Sequence, residues 1–412
     1  MAITAETLTS PPFFAPSHVP AELVRPTPFV FGTITKEDPY ETWVPEIHSG
    51  PPIFYAPNAY PGPGPAWVVR RMSDMREIYM DTQTFSSTDF SPYSKLVGDT
   101  WTNLPVEYDP PDHGKYRRFA NPLFTPVAMA KLEDKIREYA IEYIDRFVAN
   151  GECEFMAQFA FEFPIKVFLE LMGLPLERAP EFLEWEYGLL HAPDLATMAE
   201  ATRKTVAFLR EEIDKRRDDP PDDAFGYALK AQIDGQPLTD DELVGFAFNL
   251  FIGGLDTVST NMGLQVLHLA RNPDHQQELR EHPDRIPRAI EELMRAYAPV
   301  TTFRTCTKET VFKGVTMMPG DKVAMMTTLV ARDPDEFDAP NEVRLDRNPR
   351  HVSFGYGVHT CIGMHLARRE LRIALEEMLA RVPMFQVKPD HHLRYWLGMI
   401  QPVELPLVWQ PS

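Results

Sequence analysis

Apolar residues recur at three- and four-residue steps through Met129, Leu132, Ile136, Tyr139, Ile144 and Phe147, the period of an amphipathic helix. Helices are also expected near 155–172, 178–190 and 196–217, the last closing in the charged run Lys215-Arg216-Arg217-Asp218-Asp219 before Pro220 and Pro221. Thr239-Asp240-Asp241-Glu242 has the spacing of a capping box, and an apolar run follows it with no proline until Pro273. This predicts a helix of about 30 residues from 240 to 271. Its first half is hydrophobic on most sides, which sends it through the interior. Further helices are expected over 288–297 and from Gly363 to about Arg381. The segments 308–330 and 385–409 read as short strands.

Proline changes the picture at the N-terminal end. The first 65 residues hold 14 of the chain's 40 prolines, so this part is expected to be irregular and extended, with at most short strands and helices. Pro61-Gly62-Pro63-Gly64-Pro65 reads as a turn-rich loop before a strand at Trp67-Val68-Val69. No repeat of fixed period and no low-complexity linker divides the chain.

Lys and Arg number 41 against 60 Asp and Glu, a net charge of −19 that argues against nucleic acid as partner. Three cysteines in 412 residues cannot form a disulfide framework, and a reducing cytoplasm is expected. The opening MAITAETLTS lacks a basic segment followed by an apolar one, so it is not read as a signal peptide. The apolar stretch Leu243–Leu255 is interrupted by Asn249 and falls short of the roughly 18 residues a membrane span needs.

Four motifs carry chemistry. Phe354-Gly355-Tyr356-Gly357-Val358-His359-Thr360-Cys361-Ile362-Gly363 places a cysteine at the end of a glycine-rich loop, directly before a helix. Free N–H groups and partial positive charge at a helix start favour a thiolate. Glycines let the backbone approach a flat ligand, and a loop-held thiolate suits haem iron. Glu292 and Arg295, spaced i and i+3, share a helix face and can pair. Gly253-Gly254-Leu255-Asp256-Thr257 puts two glycines inside a helix, at roughly 1 kcal/mol each. Either close helix packing or a small ligand beside the helix accounts for them. In Asp109-Pro110-Pro111-Asp112-His113-Gly114-Lys115-Tyr116-Arg117-Arg118, His113 and Arg117 lie four apart on one helix face, where an arginine can grip carboxylates.

In order and spacing these motifs resemble the cytochromes P-450 over residues from about 105 to 370. The resemblance implies a mainly α fold with a minor β part, a triangular helical prism with one long helix over the haem. It implies a single domain over 1–412: a Pro-rich, β-containing part with the substrate-access loop (1–110), a helical part with the oxygen-binding helix (111–305), and β segments with the thiolate loop and following helix (306–412). Cys361 would hold the iron of haem b. His113, Arg117, Arg304 and His359 would meet the propionates. Glu292 and Arg295 would be structural. Asp256 and Thr257 would form the acid–alcohol pair that delivers protons for O₂ cleavage.

The stretch His365-Leu366-Ala367-Arg368-Arg369-Glu370, Gly253–Thr257 and the ending Leu405-Pro406-Leu407-Val408-Trp409 resemble the bacterial camphor 5-monooxygenase subfamily. That implies a monooxygenase that hydroxylates compact terpenoids, camphor-, cineole- or ionone-like. Its electrons would pass from NADH through a reductase to a [2Fe–2S] ferredoxin. Lys115, Arg118, Arg368 and Arg369 are the expected docking face, unless they form only a charged helix surface. Nothing demands an oligomer, so a monomer is expected. The pocket is expected to include Trp101, Asn249, Ile252, Gly253, Val300 and Met399. Trp101 stands where camphor hydroxylase has a tyrosine donor, Asn249 where it is apolar, and Thr302 where an acid partners a propionate. Trp101 and Asn249 suit a more oxygenated bicycle than camphor, although Asn249 has the alternative of bonding its own helix backbone. A peroxide-driven peroxygenase would not need the acid–alcohol pair. A haem-based ligand binder would need neither the pair nor turnover.

Overall fold

Helices carry about half of the structure, and the long ones lie where the apolar period places them. The computed structural model describes residues 14–61, 64–254 and 256–410. The opening MAITAETLTS, the centre of the Pro-Gly repeat at residues 62–63, and Leu255 lie outside the described residues. Helices run over Glu133–Asp145, Ala179–Leu190, Leu195–Arg216, Ile286–Ala296 and Met364–Arg381. The helix expected over 155–172 is a wide turn at Met156–Ala160 followed by a regular helix at Glu162–Met172.

The central helix occupies Asp240–Gly254 and Asp256–Arg271. Its capping box forms as the spacing requires: Thr239 N–H donates to Glu242 Oε2 at 2.7 Å, and Glu242 N–H donates to Thr239 Oγ1 at 3.3 Å. By length and apolarity Asp240–Arg271 could cross a membrane, contrary to the estimate from the run Leu243–Leu255 alone. Its most apolar window is 71% buried inside the protein, the setting of a core helix.

Two elements, Ile53–Tyr60 and Met72–Met80, escape the hydrophobic period. The strand expected at Trp67-Val68-Val69 forms as Gly64–Val69, and Ile53–Tyr60 pairs with it in an antiparallel hairpin. Pro57 is tolerated there because the register shifts between Ala56 and Tyr60, relieving it of a ladder hydrogen bond. Met72–Met80 is helical and buries Met72, Met75, Ile78 and Tyr79. The hairpin opens a five-stranded sheet of order Ile53–Tyr60, Gly64–Val69, Lys322–Met326, Thr301–Cys306, Phe85–Ser86. Only Gly64–Val69 with Lys322–Met326 is parallel. The sheet therefore joins residues 53–86 to residues 301–326 and carries Arg304 on its strand Thr301–Cys306. The tail gives further short strands, among them Phe385–Val387 and Pro406–Trp409.

Candidate active site

One cavity brings together the thiol loop, the central helix and the cationic residues; it encloses about 1670 Å³ of atom-free space, including its opening. Cys361, Gly253, Thr257, His113, Arg117, Arg304, His359, Asn249 and Val300 all line it.

The thiol loop owes its path to backbone conformation. Gly355 and Gly357 have φ of +72° and +71°, a region that L side chains enter at a cost. Cys361 N–H closes the loop onto Phe354 O at 2.8 Å. Burial pushes the Cys361 thiol up. The backbone N–H groups of Gly363 and Met364 and the guanidinium groups of Arg117 and Arg368 pull the other way.

Across the loop sits an unbalanced group of donors. His113 is buried and its Nε2 has no partner; Arg304 is buried and its Nε has none. Arg304 Nη1 donates to Phe303 O at 2.7 Å, and its guanidinium lies 4.8 Å from the Tyr79 ring centre. Arg117 Nε donates to Asn121 Oδ1 at 2.8 Å. The His113 and His359 rings are 4.3 Å apart, and His359 Nε2 pairs with Ser87 Oγ at 3.1 Å. Burial, then Arg304, His113 and Arg117, push His359 down to about 2. Thr302 Oγ1 bonds Tyr79 OH at 3.0 Å. Among the described residues, two arginines and a histidine thus face a cavity without a protein carboxylate among their hydrogen-bond partners, an arrangement that a ligand with two carboxylates would complete.

On the opposite wall, a Cβ built at Gly253 would meet no protein atom within 4 Å, whereas one at Gly254 would press on the Phe168 ring at 3.2 Å. Close packing therefore explains Gly254 but not Gly253, which leaves room for something inside the cavity. Thr257 Oγ1 donates to Gly253 O at 3.1 Å. Asp256 is 1% exposed and turns away from the cavity: Oδ2 pairs with His191 Nε2 at 3.0 Å, and Oδ1 accepts from Gln401 Nε2 at 2.5 Å. Among the hydrogen bonds of the described residues, none joins Asp256 to Thr257. A flat group with two carboxylates and a thiolate-binding iron would fit these residues, as the haem implied by the resemblance would: Cys361 would hold the iron, and Arg117, Arg304 and His113 the carboxylates.

The buried ion pair is more elaborate than its two-residue motif. Glu292 and Arg295 are fully buried and bonded twice at 2.8 Å. Arg347 Nε adds a bond to Glu292 Oε1 at 3.0 Å, and Arg344 N–H another at 3.0 Å. Arg295 also donates to the carbonyls of Ala331, Pro340 and Glu342. Arg347 lies 55 positions from Glu292, so no local spacing announces it.

Three pocket expectations are corrected. Trp101 is buried outside the cavity lining; its indole N–H donates to Asp99 Oδ2 at 3.0 Å and its ring packs 4.6 Å from Phe248. Ile252 packs into the apolar cluster beside the central helix and does not line the cavity. Met399 is also outside, with its sulfur accepting from Thr260 Oγ1 at 3.7 Å. Asn261 was missed: it lines the cavity, donates to Thr257 O at 2.9 Å and leaves Oδ1 unpartnered. The docking expectation changes as well. Arg368 is held by Glu291 at 2.7 Å, Arg369 pairs with Glu133, and Lys115 pairs with Asp112 and Asp234 at 3.1 Å each. Of the four, only Arg118 carries no ion pair among the described residues.

The cytochrome P450 family profile matches residues 186–403. The chain is 40% identical over 387 residues to a protein named probable cytochrome P450 127A1 from Sinorhizobium fredii (strain NBRC 101917 / NGR234), covering 90% of this chain and 91% of that one. It superposes on the crystal structure of CYP101J2 with a TM-score of 0.86 at 29% identity, covering 97% of this chain and 100% of that one. The crystal structure of CYP101C1 gives 0.85 at 32% identity, over 96% and 100%.

Proposed function

The chain belongs to the cytochrome P450 family and is a monooxygenase, and from that premise we propose that it hydroxylates an unactivated C–H bond of a compact, oxygen-bearing terpenoid, camphor-, cineole- or ionone-like. A [2Fe–2S] ferredoxin would supply the electrons from NADH. The observation that carries this reading is that one cavity is lined by both Cys361 and Thr257. Bound there, the haem supplies activation of O₂ for insertion of one oxygen atom. The chain's own residues do the rest. Cys361 would hold the iron, with the Gly363 and Met364 N–H groups on its sulfur. Arg117, Arg304 and His113 would fix the propionates. Thr257 Oγ1 would hold a proton at the cavity wall, refilled from Asp256 behind it.

Substrate recognition falls to a mostly apolar wall that includes Phe90, Val106, Phe168, Leu171, Leu250 and Val300. The polar handle moves from Trp101 to Asn249, whose side chain lines the cavity and makes no hydrogen bond among the described residues. That favours a pocket role over bonding to its own helix. For the ferredoxin, the Cys361 loop face remains the proposed dock. Arg118, on the helix Asp112–Ala120, has no ion pair among the described residues and would be its cation, and Met80, Tyr356 and Val358 are exposed apolar side chains on the same loop and its neighbouring helix. Arg368 and Arg369 would then brace the loop rather than meet the partner.

Turnover of the haem-loaded protein with ferredoxin, reductase, NADH and isotopically labelled O₂ tests this function. Label in one hydroxyl of an oxygenated terpenoid is expected. Thr257→Ala should keep NADH consumption but send most electrons to peroxide. Fully coupled product in that variant would reject the proton-delivery role.

A further inference from the structure

At the far end of the central helix a second cavity shares no lining residue with the Cys361 cavity. It encloses about 830 Å³ of atom-free space, including its opening, the size class of a small-molecule site. Leu264 and Leu267 of helix Asp256–Arg271 form one wall. Tyr40, Tyr297 and Arg332 form another.

Arg332 is 5% exposed, yet no carboxylate pairs with it among the described residues. Its Nε donates to Ala296 O at 3.1 Å and its Nη1 to Asn341 Oδ1 at 3.4 Å, while Nη2 makes no hydrogen bond among the described residues. The guanidinium lies 4.8 Å from the Tyr40 ring centre and 5.7 Å from that of Tyr297. The two rings meet edge-on at 5.1 Å. Aromatic faces attract the cation but do not neutralise it. An arginine is rarely buried without a counter-charge, because desolvating an unpaired ion is costly. Tyr40 adds a second unsatisfied donor, since it is 5% exposed and its hydroxyl has no partner.

The neighbouring groups leave that charge uncompensated. Asp38 is taken by Arg271 at 2.6 Å, by Tyr395 OH at 3.0 Å and by Tyr40 N–H at 3.0 Å. Asp333, next in the chain, accepts from Met72 N–H at 2.8 Å. His268 has both ring nitrogens engaged, with Tyr297 OH and His275 at 2.9 Å each. Glu41 lines the cavity but is exposed, so water and salt screen its charge.

We propose that this cavity binds a small organic carboxylate with a compact apolar body. The carboxylate takes the Nη1–Nη2 edge of Arg332, and the body packs against Leu264, Leu267 and the Tyr297 ring. A planar guanidinium matches a carboxylate through two parallel N–H bonds, and leucines and aromatic rings suit a hydrocarbon body rather than a bare phosphate.

Calorimetric titration of the haem-loaded protein with benzoate and with cyclohexanecarboxylate, each against its neutral amide, tests this site. One equivalent of each acid should bind with a Kd of about 1 mM or tighter, roughly tenfold ahead of its amide. Arg332→Leu should abolish that preference. Because Arg332 is also a buried part of the fold, two milder variants carry the test if Arg332→Leu does not fold. Arg332→Lys keeps the charge without the planar fork and should weaken both acids about three- to tenfold. Glu41→Gln removes an exposed like charge and should tighten both about twofold. The Soret spectrum should stay unchanged through the titration, since the site is remote from Cys361. Absence of saturable binding, or equal binding of acid and amide, overturns the proposal. So do affinities that Arg332→Lys and Glu41→Gln leave unchanged, or a Soret shift that follows the binding curve, which would place the acid in the Cys361 cavity.

Discussion

Replacing Glu292 by Gln should destabilise the fold by about 3 kcal/mol, the lower end of the 3–5 kcal/mol range for breaking a buried pair. The carboxylate is fully buried and accepts from four donors: Arg295 Nε and Nη2 at 2.8 Å, and Arg347 Nε and Arg344 N–H at 3.0 Å. The amide keeps the shape and one acceptor but leaves Arg295 and Arg347 without a counter-charge. The lower end applies because Arg295 retains three carbonyl acceptors. At about 1.4 kcal/mol per factor of ten, the unfolding equilibrium shifts more than a hundredfold. The damage should reach the cofactor, since Ser353 Oγ donates to Met294 O at 2.9 Å and Arg368 bonds Glu291 at 2.7 Å, tying this helix to the thiol loop. Urea unfolding followed by far-ultraviolet circular dichroism gives the stability, and Soret absorbance on the same samples gives haem retention. A Glu292→Gln/Arg295→Met double variant should recover part of the loss by removing the stranded cation. A loss below about 1 kcal/mol in Glu292→Gln, within the range of an exposed pair, would refute the reasoning.

Gly253→Ala should leave stability unchanged or raise it by up to about 1 kcal/mol, because the new methyl meets no protein atom within 4 Å, while weakening terpenoid binding by filling the cavity; a lower melting temperature would mean the glycine serves packing. His268 is pushed down to about 3 by burial, then by His275, Arg332 and Arg271, so it is neutral in the fold while the unfolded chain protonates it near 6.5. Stability from this site is intact above about pH 6.5 and is lost as pH falls from there toward 3, by up to about 1.4 kcal/mol per unit. His268→Gln should flatten that acid limb by one proton in denaturant titrations, and parallel curves would refute it. Asn249→Leu should weaken an oxygenated terpenoid about three- to tenfold, the value of one hydrogen bond, and spare its hydrocarbon analogue; spin-state titration measures both, and equal shifts would reduce Asn249 to a wall.

Local spacing made the essentials legible. The capping box at Thr239 located the central helix, and the Gly-rich decapeptide located Cys361 against a helix start. The four-residue step from His113 to Arg117 put both on one helix face, and both line the cavity. What escaped depends on contacts distant in sequence or on a short-range competitor. Trp101 stays buried but outside the cavity lining, its indole held by Asp99, two residues earlier, an acceptor that no hydrophobic pattern reveals. Arg347 joins Glu292 across 55 positions, and Gln401 joins Asp256 across 145. Arg368 and Arg369 carry charge that looks available in sequence, but Glu291 and Glu133 meet them in the fold. The strand Ile53–Tyr60 was hidden by proline, whose missing donor falls at an irregularity in the ladder.

The most direct measurement is the absorption spectrum of the reduced carbon monoxide complex, recorded for the wild type and for Cys361→Ser. The wild type should show the red-shifted Soret band of thiolate-ligated haem, and the variant should lose it while still able to take up haem through Arg117, Arg304 and His113. A wild-type spectrum without that band, or one that Cys361→Ser leaves unchanged, would contradict the assignment of Cys361 as the iron's ligand.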